Sequence, residues 1–462
     1  MNEQLSRSLK PRHITMISIG GIIGAGLFVG SSAAINAAGP IIILSYVLTG
    51  ALILLVMRML GEMAVAHPEV RSFTEFARLG LGNGAGFVAG WLYWYFWVVT
   101  VPIEAIAGAK ILQAWMPLPI WEIGVVLMAA MTAVNLMSTR SYGEFEFWFS
   151  SIKVAAILAF ILVAGAWVCG LRFGASAPAA GGAFEYLTSH GGFAPHGVAA
   201  MLAGCVTVFF ALTGAEITTV AAAESEEPSR AIAKLTTTLI LRIIAFYVGS
   251  IFLILCVIPW DSIPVGESPF VLALSSMGVS WAGAAMSFIV LTAVLSCLNS
   301  AFYVCSRVLF QLADKGDAPP WMVVLNARRV PTRSVWTSAV AGVLGVLAAT
   351  FAPGAVFAFL VSASGAVIVF VYIMIAVAQI RLRRRRESEG APQPALQMWG
   401  FPWLSWVAIV GMSAVLVAMA VTSSQQKDLY FSLLALAIAV GAYLTLRARR
   451  SRSRDVAPSP IS

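Results

Sequence analysis

Three ionisable side chains lie inside long apolar stretches of the sequence, namely Lys153, Glu104 and Glu216. A charged group at membrane depth is unfavourable unless it is paired or hydrated, and such groups commonly bind substrate or carry protons. We therefore predict that Lys153 gains and loses a proton during function and that the two glutamates handle protons or gate the site. Two alternatives stay open. Lys153 is near enough to the end of its stretch to extend to lipid headgroups, and each glutamate can hydrogen-bond an irregular backbone or neutralise Lys153 or Lys110.

Two apolar stretches contain an interruption of the kind that breaks a helix, with the sequences GGIIGAG at residues 20–26 and FFALTGAE at residues 209–216. Where a membrane helix unwinds, its free N–H and C=O groups need a ligand, water or neighbouring protein as partner. Amides at the start of a half-helix suit an anion, and free carbonyls suit an ammonium group. The two interruptions together predict a site for a molecule that carries a carboxylate at one end and an ammonium at the other.

The first interruption has a competing interpretation as a packing motif. Gly20 and Gly24, and likewise Gly26 and Gly30, have the GxxxG spacing that lets two membrane helices approach closely. The matching second interruption favours an unwound substrate segment over packing alone. A dinucleotide-binding loop is excluded, because no strand flanks the glycines and their spacing is wrong.

These groups require a membrane-spanning scaffold. The chain has 462 residues, of which 60% are hydrophobic and 11% charged, whereas ordinary soluble proteins have about 25% charged residues. At about 20 residues per crossing, the apolar stretches suffice for about twelve helices. The predicted fold is therefore an all-α polytopic membrane protein. We number its helices as spans 1 to 12, at residues 14–36, 40–62, 84–115, 120–138, 146–170, 198–222, 236–259, 269–311, 334–352, 354–380, 402–422 and 428–446.

The interruptions fall in spans 1 and 6, which predicts a 5+5 inverted repeat of spans 1–5 and 6–10, followed by two C-terminal helices. We predict an N-terminal tail at residues 1–13, a ten-helix transport core at 14–380, a basic linker at 381–401, spans 11 and 12 within 402–446 and a basic tail at 447–462. The linker is expected to be a solvated hinge and the tail to be disordered. The third and eighth stretches are longer than a bilayer requires and are expected to tilt or to extend into the cytoplasm.

The formal net charge is +8, and its distribution predicts the orientation. If the spans alternate, nearly all arginines and lysines lie on one face, which places that face and both termini in the cytoplasm and the chain in the cytoplasmic membrane. This explains the basic balance without nucleic acid. The glutamates near the ends of spans on that face are expected to form solvated or gate-latching salt bridges, and they are Glu62, Glu144, Glu146, Glu224, Glu226 and Glu227.

Several function classes are disfavoured by the residue inventory. The loops are too short for a soluble catalytic domain, and no Ser/His/Asp or HExxH arrangement occurs within a span, so we do not expect an enzyme. No histidine pair has metal-ligand spacing and the five cysteines are isolated, so we expect neither a metal, a cofactor nor a disulfide framework. Most aromatic residues are expected in interfacial belts or lipid-facing packing.

Four sequence blocks resemble the bacterial amino-acid permeases of the amino acid–polyamine–organocation superfamily, over about residues 8–447. The blocks are LKPRHI running into GGIIGAGLFVGS at residues 9–31, GEFEFW at 143–148 before Lys153, GAE at 214–216 followed by AAAES at 221–225, and SCLNSA at 296–301. Blocks at residues 57–66 and 90–94 are most similar to members that carry 4-aminobutyrate. The resemblance implies a proton symporter that imports a small amino acid, with 4-aminobutyrate as the first candidate and another neutral or aromatic amino acid as the second.

The resemblance also implies roles for individual residues. The substrate carboxylate would contact the backbone at Ile22, Ala25 and Gly26, and the amino group would contact carbonyls at Phe210, Ala211 and Thr213. Lys153 matches the lysine that replaces a sodium ion in proton-coupled relatives. Ala25 departs from the hydroxyl residue of many relatives, and Lys110 is unfamiliar in this group. The expected partners are the amino acid, protons and the lipid bilayer, with no obligate protein partner, and the alternative from another class is an amino-acid sensor that does not transport.

Overall fold

The computed structural model describes Met16 and residues 22–70, 72–137, 139–171, 182, 184–217, 244–278, 280–348, 350–351 and 353–455. Within these residues the regular structure is helical, apart from one isolated β-bridge between Leu325 and Pro331. Seven helical segments of the described chain are long and apolar enough to cross a membrane, and four shorter apolar helices accompany them. The protein is therefore an all-α polytopic membrane protein, as predicted.

The helices follow the predicted spans closely. Span 1 is described from Ile22 as the short helix Ala25–Phe28 and the helix Gly30–Ala38. Spans 2 to 12 correspond, in order, to Ile42–Ala66, Asn83–Leu112, Ile120–Asn135, Thr139–Val168, Ala199–Leu212, Ile244–Val257, Ser280–Asp314, Thr332–Ala348, Pro353–Ser388, Trp403–Val421 and Gln426–Asp455. Two further helices, Phe73–Leu81 and Pro269–Ser276, lie between spans 2 and 3 and before span 8.

Three expectations about the helix ends were wrong. The eighth apolar stretch is two helices rather than one, because Gly278, with a φ of 82°, ends Pro269–Ser276 before Ser280–Asp314 begins. The start of the basic linker is no hinge, since span 10 continues as helix to Ser388. The tail is helical to Asp455, because span 12 also continues beyond the apolar stretch. In both helices the arginines extend a helix that the apolar residues have already nucleated.

Span 3 lies at the centre of the bundle, where it packs against spans 4, 8, 9, 10 and 12. Span 6 packs against spans 1, 2 and 10. The helix Phe73–Leu81 and the ends of spans 2, 10 and 12 carry Arg78, Arg58, Arg383 and Arg450, and we call this side of the bundle the basic end. The centre of span 3 is thus surrounded by protein, which allows its polar groups to be buried.

Candidate functional site

Span 1 is interrupted at Ile23 and Gly24, as predicted. Gly24 has an extended backbone, with φ −139° and ψ −150°, and a new helical turn starts at Ala25. The Ala25 N–H points at the carboxylate of Glu104 on span 3, with distances of 3.1 and 3.0 Å to its two oxygens. Glu104 is 1% exposed. A carboxylate therefore lies against the first free amide of the half-helix, which is the position that favours an anion.

The glycines at this break permit close backbone approach. A Cβ atom on Gly24 would lie 2.5 Å from the Cys297 sulfur, and one on Gly26 would lie 2.7 Å from the main chain of Ala211 in span 6. A Cβ on Gly30 would meet only ordinary contacts, the nearest at 3.5 Å. Gly24 and Gly26 both border the break and allow spans 1, 6 and 8 to meet there, whereas Gly20, the other glycine of the first packing pair, lies outside the described residues.

Span 6 is interrupted at Thr213 and Gly214. The helix ends at Leu212, and Gly214 has a φ of 132°, a conformation that side chains disfavour. The carboxylate of Glu216 accepts a hydrogen bond from the Gly214 N–H at 3.1 Å. It also accepts hydrogen bonds from Tyr372 of span 10 at 2.9 Å and Tyr93 of span 3 at 3.3 Å. Glu216 thus holds the broken segment to two neighbouring spans.

A tyrosine of span 7 joins the two breaks. The hydroxyl of Tyr247 lies 2.9 Å from the carbonyl oxygen of Ile22 and 2.9 Å from that of Ala211. Tyr247 is fully buried. One hydroxyl proton can make one strong hydrogen bond at a time, so one of the two carbonyls stays available to a second donor.

A small cavity of about 10 Å³ lies between the two breaks, which is room for about one water molecule. Five of the six predicted substrate residues line it, and the sixth, Ala25, is joined to the lining by Glu104. The remaining lining comes from spans 3 and 8. The residues are Ile22, Gly26, Phe210, Ala211 and Thr213 with Phe96, Trp97, Thr100, Glu104 and Cys297.

Lys153 is fully buried in span 5 and does not extend to the membrane surface. Its ammonium nitrogen lies 3.9 Å from a carboxylate oxygen of Glu146. The same oxygen accepts hydrogen bonds from Ser150 at 3.2 Å and from Ser296 of span 8. Of the two alternatives expected for the Glu146 salt bridge, the solvated one was wrong, because Glu146 is also fully buried, whereas a gate-latching role stays a prediction.

Two other predicted groups lie away from the cavity. Lys110 is exposed at the end of span 3 opposite the basic end, where it donates to the Gly266 carbonyl at 3.0 Å. It lines a separate cavity of about 250 Å³, so it does not neutralise Glu104. Glu62, expected in a salt bridge at the basic end, is buried there and pairs with Arg383 at 3.5 Å, so the expected salt bridge is present. Glu62 also accepts hydrogen bonds from Met398 N–H at 2.6 Å and Gln379 at 3.0 Å. Glu224, Glu226 and Glu227 lie outside the described residues.

The sequence pattern missed several groups of the site. Tyr93, Phe96 and Trp97 of span 3 are buried around the cavity rather than facing lipid. Their spacing of three and four residues, with Glu104 seven further on, marks one helix face. Glu146, Ser150 and Lys153 have the same spacing in span 5. Tyr247 lacks such a signal, since nothing in its local sequence points to the carbonyls of two distant spans.

Two interrupted helices that meet at a buried polar cavity, within an all-helical membrane bundle, define a membrane transporter. The family model described as "Amino acid permease" matches residues 13–456. The chain belongs to the amino acid permease family, and it is a transporter rather than an enzyme.

Curated relatives cover nearly the whole chain. It is 42% identical over 459 residues to the gamma-aminobutyric acid permease of Bacillus subtilis (strain 168), covering 99% of this chain and 97% of that protein. It is 43% identical over 430 residues to the gamma-aminobutyric acid permease of Escherichia coli (strain K12), covering 92% and 91%. The aromatic amino acid transport protein AroP of Escherichia coli (strain K12) is 38% identical over 431 residues, with 93% of each chain covered.

A solved structure has the same fold. The manganese transporter of Eremococcus coleocola, crystallised as a point mutant, matches with a TM-score of 0.59 over 95% of this chain and 94% of that chain. The sequence identity is 12%, so this likeness concerns the fold alone.

Proposed function

We propose that the protein imports 4-aminobutyrate across the cytoplasmic membrane together with protons, with its basic end and both termini in the cytoplasm. The relatives named for gamma-aminobutyric acid are 42–43% identical to the chain and those named for aromatic amino acids are 37–40% identical. The arginines of the basic end support the orientation through the positive-inside rule.

The contact between Glu104 and the Ala25 N–H is the observation that carries the proposal. A carboxylate of the protein itself occupies the amide that a substrate carboxylate would use. Substrate would take its place at Ala25 and Gly26, while its ammonium group would contact carbonyls near Phe210 and Ala211. Because the cavity measures about 10 Å³, spans 1 and 6 must separate to admit any amino acid.

This exchange of carboxylates offers a route to proton coupling. Glu104 is a weaker acceptor for the Ala25 N–H when it is protonated, because charge-assisted hydrogen bonds are about twice as strong as neutral ones. A proton on Glu104 would therefore release the amide to the substrate. Binding would then favour one arrangement of the two halves over the other and shift their populations.

Lys153 and Glu146 form the second part of the proposed coupling device. One oxygen of Glu146 is shared by Ser150, Ser296 and Lys153, while the other has no hydrogen-bond partner among the residues that the structure describes. A buried, incompletely paired carboxylate beside a buried lysine is well suited to receive and release a proton. Protonation of Lys153 would be the step that couples transport to the gradient.

A second candidate substrate is an aromatic amino acid. Phe96, Trp97 and Phe210 line the cavity, and rings of this kind would pack against an aromatic side chain. The relatives named for aromatic amino acid transport support this alternative within the same family and mechanism.

Uptake into proteoliposomes tests the proposal. The purified chain is reconstituted, an inward proton gradient is imposed, and accumulation of radiolabelled 4-aminobutyrate is measured with unlabelled amino acids as competitors. We expect labelled 4-aminobutyrate to accumulate only when the proton gradient is present. Among the unlabelled amino acids, 4-aminobutyrate should be the most effective competitor. Stronger competition by phenylalanine would select the aromatic substrate, accumulation without a gradient would refute proton symport, and binding without any accumulation would indicate a sensor.

A further inference from the structure

An apolar groove of about 740 Å³ lies on the side of the bundle between spans 3 and 12, away from the substrate cavity. Its wall on span 3 extends from Phe87 to Tyr95, and its wall on span 12 from Phe431 to Leu446. At 1.5 Å per residue, the latter wall is about 22 Å long. The groove therefore exceeds the depth of one leaflet, which is half of a hydrocarbon core of about 30 Å.

Small residues of span 12 create the space. Ala435, Ala439 and Ala442 line the groove together with Leu446. Their spacing of four, three and four residues follows one face of the helix. The next position on that face, four residues beyond Leu446, is Arg450. A continuous apolar face thus ends in a cation at the basic end.

Exposed positive charge surrounds this end of the groove. Arg450 donates one N–H to the carbonyl oxygen of Gly316, a lining residue, and its side chain is 54% exposed. Lys315, the residue before Gly316, has a side chain that is 52% exposed. Arg447 is exposed on the same turn of span 12 as Arg450.

The acidic groups nearby do not cancel this charge. Asp317 is 4% exposed, pairs with Arg78 at 2.5 Å and lies 3.8 Å from Arg450. Glu75 lies 3.1 Å from Arg78 and 3.9 Å from Lys315, so these two carboxylates are shared among three cations, to which Arg447 adds a fourth. Asp314 is exposed but is not among the lining residues. The groove mouth therefore keeps a net positive charge towards the membrane surface.

We propose that this groove is a binding site for one anionic phospholipid. An acyl chain would lie along the alanines of span 12 and the aromatic residues of span 3. Its phosphate would accept hydrogen bonds from Arg450, whose planar guanidinium has further N–H groups beyond the one given to Gly316. Anionic headgroups are attracted to such clusters at membrane surfaces. The inference does not depend on which amino acid is carried.

Charge complementarity favours an anionic phospholipid over the other possible occupants of the groove. A helix from a second copy would bring its own basic end to the same place, since membrane orientation is shared, and the two sets of arginines would repel each other. A neutral apolar molecule would leave the excess positive charge at the groove mouth unbalanced. An anionic lipid satisfies both the apolar walls and the charged end.

Native mass spectrometry of the purified full chain in mild detergent tests the site. Dioleoylphosphatidylglycerol is titrated against dioleoylphosphatidylcholine, which has the same acyl chains and a zwitterionic headgroup. We expect phosphatidylglycerol to bind at least about tenfold more tightly, which corresponds to about 1.4 kcal/mol. Arg450→Gln should remove this preference, whereas Arg384→Gln, an exposed arginine elsewhere at the basic end, should keep it.

A second pair of variants tests the groove itself. Ala442→Trp fills it and should weaken phosphatidylglycerol binding about tenfold, whereas Ala437→Trp, an exposed position of span 12 outside the lining, should not. Equal binding of the two lipids, or equal effects of the two tryptophan variants, would overturn the proposal. A dimer that Ala442→Trp dissociates would assign the groove to a second copy and would overturn it as well.

Discussion

Lys153 and Glu146 lie seven residues apart in span 5, on one face of the helix, and both are fully buried. The serines at 150 and 296 donate hydrogen bonds to Glu146, so the carboxylate is oriented from two spans. Taking a single charge out of water without its partner is more unfavourable than burying the pair. The two residues are therefore expected to act together. Replacing either one is expected to impair proton coupling without removing the substrate-binding residues.

Replacing Lys153 with alanine should abolish substrate accumulation driven by an inward proton gradient. Exchange of labelled for unlabelled substrate should persist. The reason is that the variant retains both helix breaks and Glu104 but loses the proposed proton carrier. Both assays are run on the same proteoliposomes, with Lys427→Ala, an exposed lysine of span 12, as the control. Proton-dependent accumulation by the Lys153 variant at the wild-type level would show that the lysine is not the coupling group.

A glutamine at position 146 keeps acceptors for the two serines but removes the charge that faces Lys153. We expect Glu146→Gln to lower the initial rate of proton-driven uptake at least about tenfold, because the buried ammonium group of Lys153 loses the carboxylate charge at 3.9 Å. Glu144→Gln is the matched control, since Glu144 lies two residues earlier and is partly exposed. Similar rates in the two variants would contradict a special role for Glu146.

The two helix breaks position the backbone amide and carbonyl groups of the site. Span 1 supplies the Ala25 amide, span 6 supplies the Ala211 carbonyl, and Gly26 lets the two segments touch. Since Gly26 has no side chain, its main chain can lie against that of Ala211, and the close approach of spans 1 and 6 requires a glycine at this position.

A methyl group at Gly26 should therefore disrupt closure. Its Cβ would lie 2.7 Å from the main chain of Ala211, and backbone cannot yield as a flexible side chain does, so overpacking of about 1–3 kcal/mol is expected. We predict that Gly26→Ala reduces uptake by about tenfold or more. Gly30→Ala, whose nearest contact is at 3.5 Å, should transport normally. Equal uptake by the two variants would mean that spans 1 and 6 do not need this contact.

The positions of the spans were largely predictable, because long apolar runs bounded by charges have few structures open to them in a bilayer. Both breaks were also predictable from Gly24 and Gly214. What the pattern did not reveal was which aromatic and acidic residues face inward, since lipid and protein interior are equally apolar. Glu146, between two phenylalanines, has the local sequence of a helix end at the membrane surface. In the structure it is instead buried and accepts a hydrogen bond from Ser296, a residue of span 8.

The basic end holds together parts of the chain that are distant in sequence. Asp317, in the loop after span 8, pairs with Arg78 of the helix Phe73–Leu81 at 2.5 Å and lies 3.8 Å from Arg450 of span 12. On the other side of this end, Glu62 of span 2 contacts Gln379 and Arg383 of span 10. These contacts link the last helix, span 12, and both halves of the predicted repeat.

Removing the charge of Asp317 should loosen this end of the bundle. Asp317→Asn removes the charged acceptor of one Arg78 hydrogen bond while Glu75 remains beside the arginine, which is expected to lower the free energy of unfolding by about 2 kcal/mol. Thermal unfolding in detergent should show a melting temperature several degrees below wild type. Asp314→Asn, three residues earlier and exposed, should melt like wild type. A normal melting temperature for the Asp317 variant would limit the ion pair to a local role.

The carboxylate of Glu104 at the Ala25 amide has a consequence for the direction of net flux. A carrier whose vacant site leaves a bare amide in an apolar environment returns slowly when unloaded and behaves as an obligate exchanger, trading one molecule for another. Here the vacant site is filled by the protein's own anion, so the unloaded carrier avoids that penalty. We therefore expect the carrier to reorient without bound substrate, which net uptake requires and one-for-one exchange does not.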